Sequence, residues 1–438
     1  MDHLIFVLDA LWEPFQRLQM LHGPWAWVLL FLPVLLLDVP RSALASLVVI
    51  AHRFGGWPHR ELGRKQQFLS SRPGVSIIIA AYNEANSIEQ TVQSVCELRY
   101  DLPNLQIIVV DDHSTDGTYD RVTSYAEKGE IILLRNSAAS GRGGKPAAVN
   151  LGLGFATGDF LLVIDADSSF DRNLLLHMIG PFYDQRVGAV AGNIKVRNPR
   201  QSILTAVQAI EYLVVIGLNK RWLNVWGMNY IASGACGAYR RTALAPFISC
   251  DVETAEDLDN SLKVRRAGWI LRFAPDAVCM TDVPDRLSGL ARQRIRWDRD
   301  LIRVAMRKHS RALNPRHVGW RLALELWYQL LAAVAFNYLY LAYLIFLCFY
   351  DPYLIPLVIA FSWVLGLVLI AIPFLVSASL GERRREELSY AWGLLIYPVY
   401  SEVVLRWLRT WANTMELLRI GQEDSYLPQS AWRNSPRW

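Results

Sequence analysis

Long apolar segments on both sides of a polar middle are the feature that most constrains how this chain of 438 residues can fold. Downstream of the middle, apolar blocks cover roughly residues 320–349, 353–379 and 387–405. A helix needs roughly 20 apolar residues to cross a bilayer. The last block contains Pro398 and Glu402, so a full span, a re-entrant hairpin and an interfacial helix are all compatible with it. Residues 301–408 are therefore predicted to hold an interfacial helix and C-terminal transmembrane helices, followed by a polar tail at 409–438.

Residues 1–55 are predicted to form N-terminal membrane or interfacial helices. Residues 3–20 mix apolar and charged side chains, as an interfacial helix does. The apolar stretches at 25–37 and 43–51 are each too short to cross alone, so one long kinked span and a tight pair of short spans remain open. A basic segment followed by a short apolar core and a cleavage site is missing, so no removable signal peptide is predicted.

Composition and charge placement support a membrane protein whose polar middle faces the cytoplasm. The chain is 53% hydrophobic with a mean hydropathy of +0.18, which is too apolar for an ordinary soluble enzyme. Basic clusters at 53–72, 296–316 and 383–385 lie beside apolar blocks, which favours the cytoplasmic side and anionic headgroups. The five cysteines are scattered without a CxxC pair, so neither a zinc site nor a disulfide framework is indicated. We expect a multi-pass protein of the plasma (inner) membrane.

Residues 73–300 have the pattern of an α/β domain. Short β-rich runs alternate with polar, helix-like stretches, which is typical of a mostly parallel sheet. The predicted strands are 75–80, 106–110, 131–134 and 160–164. Two of them end in carboxylates, Asp111-Asp112 and Asp165-Ala166-Asp167, at the strand ends where ligands bind in open α/β sheets.

Two segments carry specific chemistry. In Asp165-Ala166-Asp167, strand alternation turns both carboxylates the same way, and two hard oxygen ligands suit Mg²⁺ or Mn²⁺ on a nucleotide diphosphate. The glycine-rich turn 141–144, followed by Lys145 at the start of a helix, suits a diphosphate as well. It is not a Walker A loop, because the spacing and the Lys-Ser/Thr pair are absent.

The motifs in chain order are Ala81-Tyr82-Asn83-Glu84, residues 110–118, residues 144–150, Asp165-Ala166-Asp167, Glu256-Asp257 and Gln293-Arg294-Ile295-Arg296-Trp297. In this order they resemble the processive family 2 glycosyltransferases: the cellulose, chitin, hyaluronan and poly-N-acetylglucosamine synthases. Size and the order of membrane segments are most similar to the last group. The resemblance implies a GT-A fold, which is a Rossmann-like α/β domain with a mostly parallel sheet, embedded here between transmembrane or interfacial helices.

The resemblance also implies the reaction and the residues that perform it. A membrane-bound inverting enzyme would polymerise and translocate a β-linked polysaccharide from a UDP-sugar such as UDP-GlcNAc, with Mg²⁺ or Mn²⁺ held by Asp165 and Asp167. Asp257 would be the general base, with Glu256 as the alternative. The donor would be bound by Tyr82, Glu84, Asp112, Lys145, Asp165 and Arg296. The acceptor and the channel mouth would be lined by Cys236, Gln293, Arg296 and Trp297.

The expected partners are the UDP-sugar, the growing polysaccharide, the lipid bilayer and a small membrane subunit, with no nucleic acid. Three departures from the family pattern stand out. Ala255 replaces a threonine, His113 replaces a glycine, and Asp298-Arg299-Asp300 follows Trp297 where many relatives have small residues. None of the three removes a carboxylate that the mechanism needs.

Two other functions remain open. A non-processive relative that adds one sugar to a polyprenyl phosphate carrier would share Asp112, Asp165 and Asp167 but would need neither Arg296-Trp297 nor a channel. A transporter or receptor with a nucleotide-binding middle would have more spans and no set of carboxylates at strand ends. Release of UDP by the purified protein distinguishes these functions.

Overall fold

The computed structural model of the chain describes residues 16, 39–55, 57–100, 104–136, 143–247, 250, 252 and 254–420. The predictions for residues 1–38, for Gly141 and Arg142 of the glycine-rich turn, and for the tail beyond residue 420 lie outside the described residues. Within them, an α/β domain is joined to a helical C-terminal part.

One eight-stranded sheet forms the centre of the domain. Its strands are β1 (Val75–Ala81), β2 (Leu105–Asp111), β3 (Ile132–Arg135), β4 (Phe160–Asp165), β5 (Ser169–Phe170), β6 (Val187–Val196), β7 (Cys236–Arg240) and β8 (Ile270–Thr281). Their order is β3-β2-β1-β4-β7-β6-β8-β5, and β7 and β5 run antiparallel to their neighbours. The predicted α/β sheet is confirmed, and the four predicted strands agree with β1 to β4 to within one residue.

The helices surround this sheet and continue beyond it. They are α1 (Val39–Phe54), α2 (Trp57–Ser70), α3 (Ile88–Cys96), α4 (Thr118–Glu127), α5 (Lys145–Phe155), α6 (Leu174–Ile179), α7 (Ile203–Tyr212), α8 (Asn219–Trp226), α9 (Arg241–Leu244), α10 (Glu256–Arg266), α11 (Leu287–Leu301), α12 (Pro315–Val318), α13 (Trp320–Leu330), α14 (Phe336–Tyr350), α15 (Leu354–Leu380), α16 (Arg384–Leu388), α17 (Tyr397–Val399) and α18 (Arg406–Leu417). Short 3₁₀ or π-helical turns join several of them, so that α7 with α8 and α13 with α14 are each continuous.

Strand register brings the carboxylates to one edge of the sheet. Ala81 at the end of β1 pairs with Asp111 of β2, and Ala80 pairs with Asp165 of β4. These strands are parallel, so their carboxyl ends and the loops that follow meet above the same edge. The apolar runs of β1 and β4 are buried on both faces, which explains why they lack polar alternation.

Three helices among the described residues are long and apolar enough to cross a membrane: Ile203–Trp226, Trp320–Tyr350 and Leu354–Leu380. In the apolar window of the first helix, 72% of the residues are buried inside the protein, whereas in the other two the shares are 22% and 17%. Ile203–Trp226 therefore belongs to the interior, where Ile210 shares a core with the sheet and with Phe374 of α15. The domain and the inner end of α15 are one packed unit.

The third predicted apolar block, 387–405, does not form a long apolar helix. It breaks into short helical pieces and leads into a helix that continues past residue 408, the boundary drawn from the sequence, to Leu417. Residues 409–417 are therefore helical rather than part of a polar tail. The reason is their packing, because Ala412, Asn413 and Glu416 are buried.

Three arginines of the basic cluster after Trp297 bind a carboxylate of the protein itself. Glu416 of α18 is 3% exposed and accepts from Arg299 at 3.0 Å, Arg303 at 3.0 Å and Arg307 at 2.6 Å. These arginines are spaced by four residues and so lie on one helical face. They bind the C-terminal helix instead of facing anionic headgroups.

Candidate active site

Lys145 joins two of the predicted site carboxylates. Its Nζ lies 2.6 Å from Oδ1 of Asp165 at the end of β4 and 2.9 Å from Oε1 of Glu256 at the start of α10. Burial by itself would lower the pKa of Lys145, but Asp165 and Glu256 outweigh it and raise that pKa. The lysine is therefore a fixed cation between the two carboxylates, at the edge of the sheet where a diphosphate was expected.

Asp257 lies beside this group and is held by the backbone. Its Oδ2 accepts from the Gly234 N–H at 2.8 Å, and its Oδ1 accepts from the Leu258 N–H at 2.7 Å. Burial and then the neighbouring Glu256 raise the pKa of Asp257. A carboxylate with a raised pKa and a fixed orientation is suited to accept a proton.

Gly234 lies at this site, in the segment 233–237 whose sequence resembles the family's loop near the acceptor sugar. A Cβ atom at this position would lie 2.9 Å from Lys145 Nζ and 3.4 Å from both Asp257 Oδ2 and Glu256 Oε1. The close approach of the backbone to all three side chains therefore requires glycine. The same distances place Lys145, Glu256 and Asp257 around one point.

Asp165, Asp167 and Glu84 form an acidic group next to Lys145. Burial, then Asp165 and Glu84, raise the pKa of Asp167 to about 6. Burial and Asp165 likewise raise the pKa of Glu84, although Ser87 donates to its carboxylate at 2.5 Å. The mutual repulsion shows an excess of negative charge that a divalent cation would neutralise, and hard oxygen donors suit Mg²⁺ or Mn²⁺.

Few protein side chains are available to bind a metal ion next to Lys145. Among the described residues, no group of three or more His, Cys, Asp or Glu side chains has the arrangement of a metal site. Asp165 and Asp167 therefore fit a cation as a pair of ligands, with the remaining positions left to oxygens of a substrate or to water. That pattern is usual for Mg²⁺, which keeps several non-protein ligands.

Asp112 is buried, and its oxygens are used by the protein. Oδ1 accepts from the Gly143 N–H at 3.0 Å and from Asn136 at 2.8 Å, and Oδ2 accepts from the Gly144 N–H at 2.8 Å. Only 2% of the residue is exposed. In this structure Asp112 therefore fixes the glycine turn that places Lys145, and the predicted contact of Asp112 with the UDP-sugar would require these bonds to open.

The loops after β1 and β2 are tied to each other beside Tyr82, which is half-buried. The Asn83 N–H donates to Ser114 at 3.0 Å, and the Asn83 side chain accepts from the Thr115 N–H at 2.9 Å. Asn83 and His113 have φ angles of 56° and 62°, in the left-handed region. His113 thus adopts the conformation for which the family has glycine, at a cost of about 1–2 kcal/mol.

Gln293, Arg296 and Trp297 share helix α11. Trp297 is 39% exposed, and the guanidinium of Arg294 lies 4.5 Å from the centre of its ring. Arg294 in turn binds Glu211 at 2.8 Å, which holds it against α7. Gln293 and Arg296 are half-buried. The indole therefore rests on a buried cation and keeps part of its ring available.

The unusual residues after Trp297 make structural contacts. Asp298 accepts from Arg409 at 3.0 Å, and Arg299 donates to Glu416, so both fasten α11 to α18. Asp300 accepts from the hydroxyl of Thr254, which lies three residues before Asp257. The Asp300–Thr254 hydrogen bond links α11 to the loop that precedes α10, the helix of the candidate base.

Cys236 does not belong to the acceptor site. It is 0% exposed within β7, and its Sγ lies 4.0 Å from Sδ of Met178 in the core. The acceptor contact predicted for this residue is therefore wrong. Cys236 begins β7 and packs in the core, whereas Gly234, two residues earlier, lies in the loop before the strand at the site.

Comparison with known proteins gives one family and several relatives. Residues 76–246 match the family described as Glycosyl transferase family 2. The chain is 33% identical over 226 residues to a protein named Poly-beta-1,6-N-acetyl-D-glucosamine synthase from Staphylococcus aureus (strain MSSA476), which is 51% of this chain and 53% of that protein. The protein of the same name from Staphylococcus epidermidis is 29% identical over 276 residues, covering 63% of this chain and 65% of that protein.

The chain thus spans about half the length of the S. aureus relative. Among solved structures, a mannosyltransferase from Pyrobaculum calidifontis in complex with GDP-Man and Mn²⁺ has a TM-score of 0.53 and 22% identity. The alignment covers 86% of this chain and 99% of the mannosyltransferase. At this identity the likeness concerns the fold, and it confirms the predicted GT-A-like architecture.

Proposed function

Because the chain carries a family 2 glycosyltransferase domain, we propose that it is a membrane-bound inverting enzyme that polymerises a β-linked polysaccharide from a UDP-sugar. UDP-GlcNAc is the first donor to test, since both staphylococcal relatives are named as synthases of an N-acetylglucosamine polymer. The observation that carries the proposal is the convergence of Lys145, Glu256 and Asp257 around Gly234, with Asp165 paired to the same lysine.

The two adjacent carboxylates have different surroundings, and this difference assigns the base. Glu256 is paired with Lys145 at 2.9 Å, so its negative charge is compensated by a cation at hydrogen-bond distance. Asp257 has no such cation at hydrogen-bond distance in its described contacts and is oriented by two N–H groups. We assign proton acceptance to Asp257: it removes the proton of the acceptor hydroxyl while that oxygen attacks the anomeric carbon.

The leaving group is the nucleoside diphosphate, which departs with the electrons of the sugar–phosphate bond. Lys145 is placed to stabilise its negative charge, since the ammonium lies at the start of α5 above the carboxyl end of β4. Asp165 and Asp167 would hold a divalent cation there, which supplies further charge stabilisation to the diphosphate when it is bound. A single displacement with one base needs no nucleophile from the enzyme, and it inverts the anomeric configuration.

The helical part supports a membrane location. Trp320–Tyr350 and Leu354–Leu380 are joined by a short turn and are mostly exposed, as a pair of lipid-facing spans would be. At the other end, the loop after α15 returns to the catalytic domain, where Arg383 binds Asp171 at 2.8 Å and Glu387 binds Lys195. A hairpin of two crossings with both ends at the domain, together with the basic loop, favours a cytoplasmic catalytic side.

Processivity requires that the polymer stay bound after each addition. The partly exposed indole of Trp297 is fixed by Arg294, and indole faces bind the CH faces of sugar rings. Asp300 of the same helix accepts a hydrogen bond from Thr254, in the loop before the helix α10 that carries the proposed base. We therefore assign acceptor binding to Trp297, with Gln293 and Arg296 on the same helix.

The test uses the full chain in lipid nanodiscs and measures UDP release from several UDP-sugars with Mg²⁺ or Mn²⁺. We expect turnover of one UDP-sugar and a product of many sugar units, with turnover lost in Asp257→Asn. Transfer of a single sugar to a polyprenyl phosphate would favour the non-processive alternative. Binding of nucleotide without release of UDP from any donor would reject the enzymatic proposal.

A further inference from the structure

A buried charge cluster lies directly behind the candidate base. Asp259 is two residues after Asp257, in the first turn of α10, and is 0% exposed. Its Oδ1 lies 2.7 Å from Nε2 of His309 and 2.7 Å from Nζ of Lys308, and its Oδ2 lies 2.8 Å from Nζ of Lys263. The Asp259 carboxylate thus binds one imidazole and two ammonium groups in the interior of the protein.

The protonation state of His309 follows from its two partners. Its Nδ1 lies 3.0 Å from NH1 of Arg266, and a guanidinium can only donate. Nδ1 must therefore accept, so Nε2 carries the hydrogen and donates to Asp259. Burial lowers the pKa of His309, which agrees with a neutral ring between Arg266 and Lys308. The Nε2–H group of His309 thereby orients the Asp259 carboxylate, and the two lysines compensate its charge.

The partners of Asp259 belong to two parts of the chain. Lys263 is on α10 itself, whereas Lys308 and His309 end the π-helical turn that follows α11. Apolar contacts reinforce this connection, because Leu258 and Leu262 of α10 share one buried cluster with residues of the segment 304–326. The helix of the base is therefore attached to the segment that leads into the first C-terminal apolar helix, while Asp165 belongs to the sheet.

We propose that Asp259 is a positioning residue for the reaction, which sets the place of the Asp257 carboxylate relative to a donor bound at Lys145 and Asp165. The inference rests on the proposed role of Asp257 as the base. Both aspartates lie in one turn of α10, so a rotation or shift of that turn moves the base as well. A displacement of about 1 Å in a reacting group can reduce the rate about 100-fold.

The experiment compares steady-state UDP release by the full chain and by Asp259→Asn in nanodiscs. We expect kcat to fall about 10- to 100-fold while the KM for the donor stays within about twofold, since the groups that bind the diphosphate remain on the sheet and α5. The matched control is Glu325→Gln. Glu325 is also 0% exposed and is paired with Arg41 at 2.9 Å, but it belongs to α13. We expect this control to lower the thermal midpoint without lowering kcat.

A second pair of variants keeps the test decisive if Asp259→Asn does not fold. His309→Gln retains an amide N–H for Asp259 and an oxygen for Arg266, whereas His309→Leu retains neither. We expect His309→Gln to keep most of kcat and His309→Leu to lose it. Equal kcat values in these two variants, or an equal loss of kcat in Glu325→Gln and Asp259→Asn, would overturn the inference. Wild-type turnover in Asp257→Asn would instead refute the proposed base, which separates the two failures.

Discussion

Replacement of Asp257 by asparagine tests the assignment of the base, and the structure shows what else this change does. The carboxylate accepts one backbone N–H at each oxygen, from Gly234 at 2.8 Å and from Leu258 at 2.7 Å. Asparagine offers one oxygen and one NH₂ group, so it can satisfy only one of these donors. The variant therefore removes the proton acceptor. It also leaves one of the two backbone N–H groups facing the NH₂ group of the asparagine.

The two effects have different sizes and different readouts. Loss of a general base typically lowers the rate about 10²- to 10⁴-fold, which corresponds to about 2.7–5.4 kcal/mol in the activation barrier. Loss of a hydrogen bond to a charged group costs about 1.5–3 kcal/mol of stability. Part of that cost is offset, because burial and Glu256 disfavour the charged form of Asp257, as its raised pKa shows. We expect a large fall in kcat with a smaller fall in thermal midpoint.

The assay is UDP release over a range of pH, together with donor binding. Asp257 must be ionised to accept a proton, and its pKa is raised by burial and then by Glu256. Wild-type kcat should therefore fall as the pH falls through a value above about 3.9, the ordinary pKa of aspartate. The acidic limb should be absent from the residual activity of Asp257→Asn, while the KM for the donor changes little.

Glu256→Gln is the matched comparison, because it changes the neighbouring carboxylate in the same way. It removes the charge that is paired with Lys145 at 2.9 Å, so we expect its main effect on the donor KM. The reasoning is refuted if Asp257→Asn turns over at the wild-type rate. A selective loss of kcat in Glu256→Gln would transfer the role of base to Glu256.

Three further predictions test other parts of the proposal. Chelation by EDTA, Asp165→Ala or Asp167→Ala should each abolish UDP release, with Mg²⁺ or Mn²⁺ restoring only the chelated wild type; full activity in EDTA would exclude the metal role. Trp297→Ala should shorten the polymer much more than it slows hydrolysis of the UDP-sugar by water, as measured by product sizing; chains of normal length made at a normal rate would contradict acceptor binding. Glu416→Gln should destabilise the protein by about 3–5 kcal/mol, because it leaves the buried Arg299 and the partly buried Arg303 and Arg307 without their carboxylate, whereas Glu97→Gln in an exposed pair with Arg172 should change the thermal midpoint little. Equal thermal midpoints of Glu416→Gln and Glu97→Gln would refute the stabilising role of Glu416.

Local pattern was sufficient for the part of the fold that carries the motifs. The apolar runs that became β1 and β4 are bounded by polar turns, so their limits could be predicted to within one residue. Their parallel arrangement then brought Asp165 to the edge where Asp111 ends β2. The motif order also indicated the family, which the match over residues 76–246 supports. The contacts of Gly234 could not be predicted from its own segment, because they depend on the approach of Lys145 and Asp257 from other elements.

Sequence pattern was insufficient wherever a side chain chooses a partner far along the chain. Asp112 and Cys236 have residue types that fit a site, yet one is used by the glycine turn and the other by the core. The arginines after Trp297 have the spacing of a basic helical face, which is equally suited to headgroups and to a carboxylate. Glu416, more than 100 residues away, decided between these two.

The sequence by itself determined the α/β sheet, the carboxylates at its edge and the two long apolar helices at 320–350 and 354–380, because each depends on periodicity and length within a few dozen residues. Only the tertiary structure decided that Lys145 pairs with Glu256, that Asp300 joins α11 to the loop before α10, and that Asp259 attaches α10 to the segment after α11. The physical reason is the range of the interaction. Hydrogen bonds and ion pairs act within about 3 Å, and packing determines which distant residues come that close.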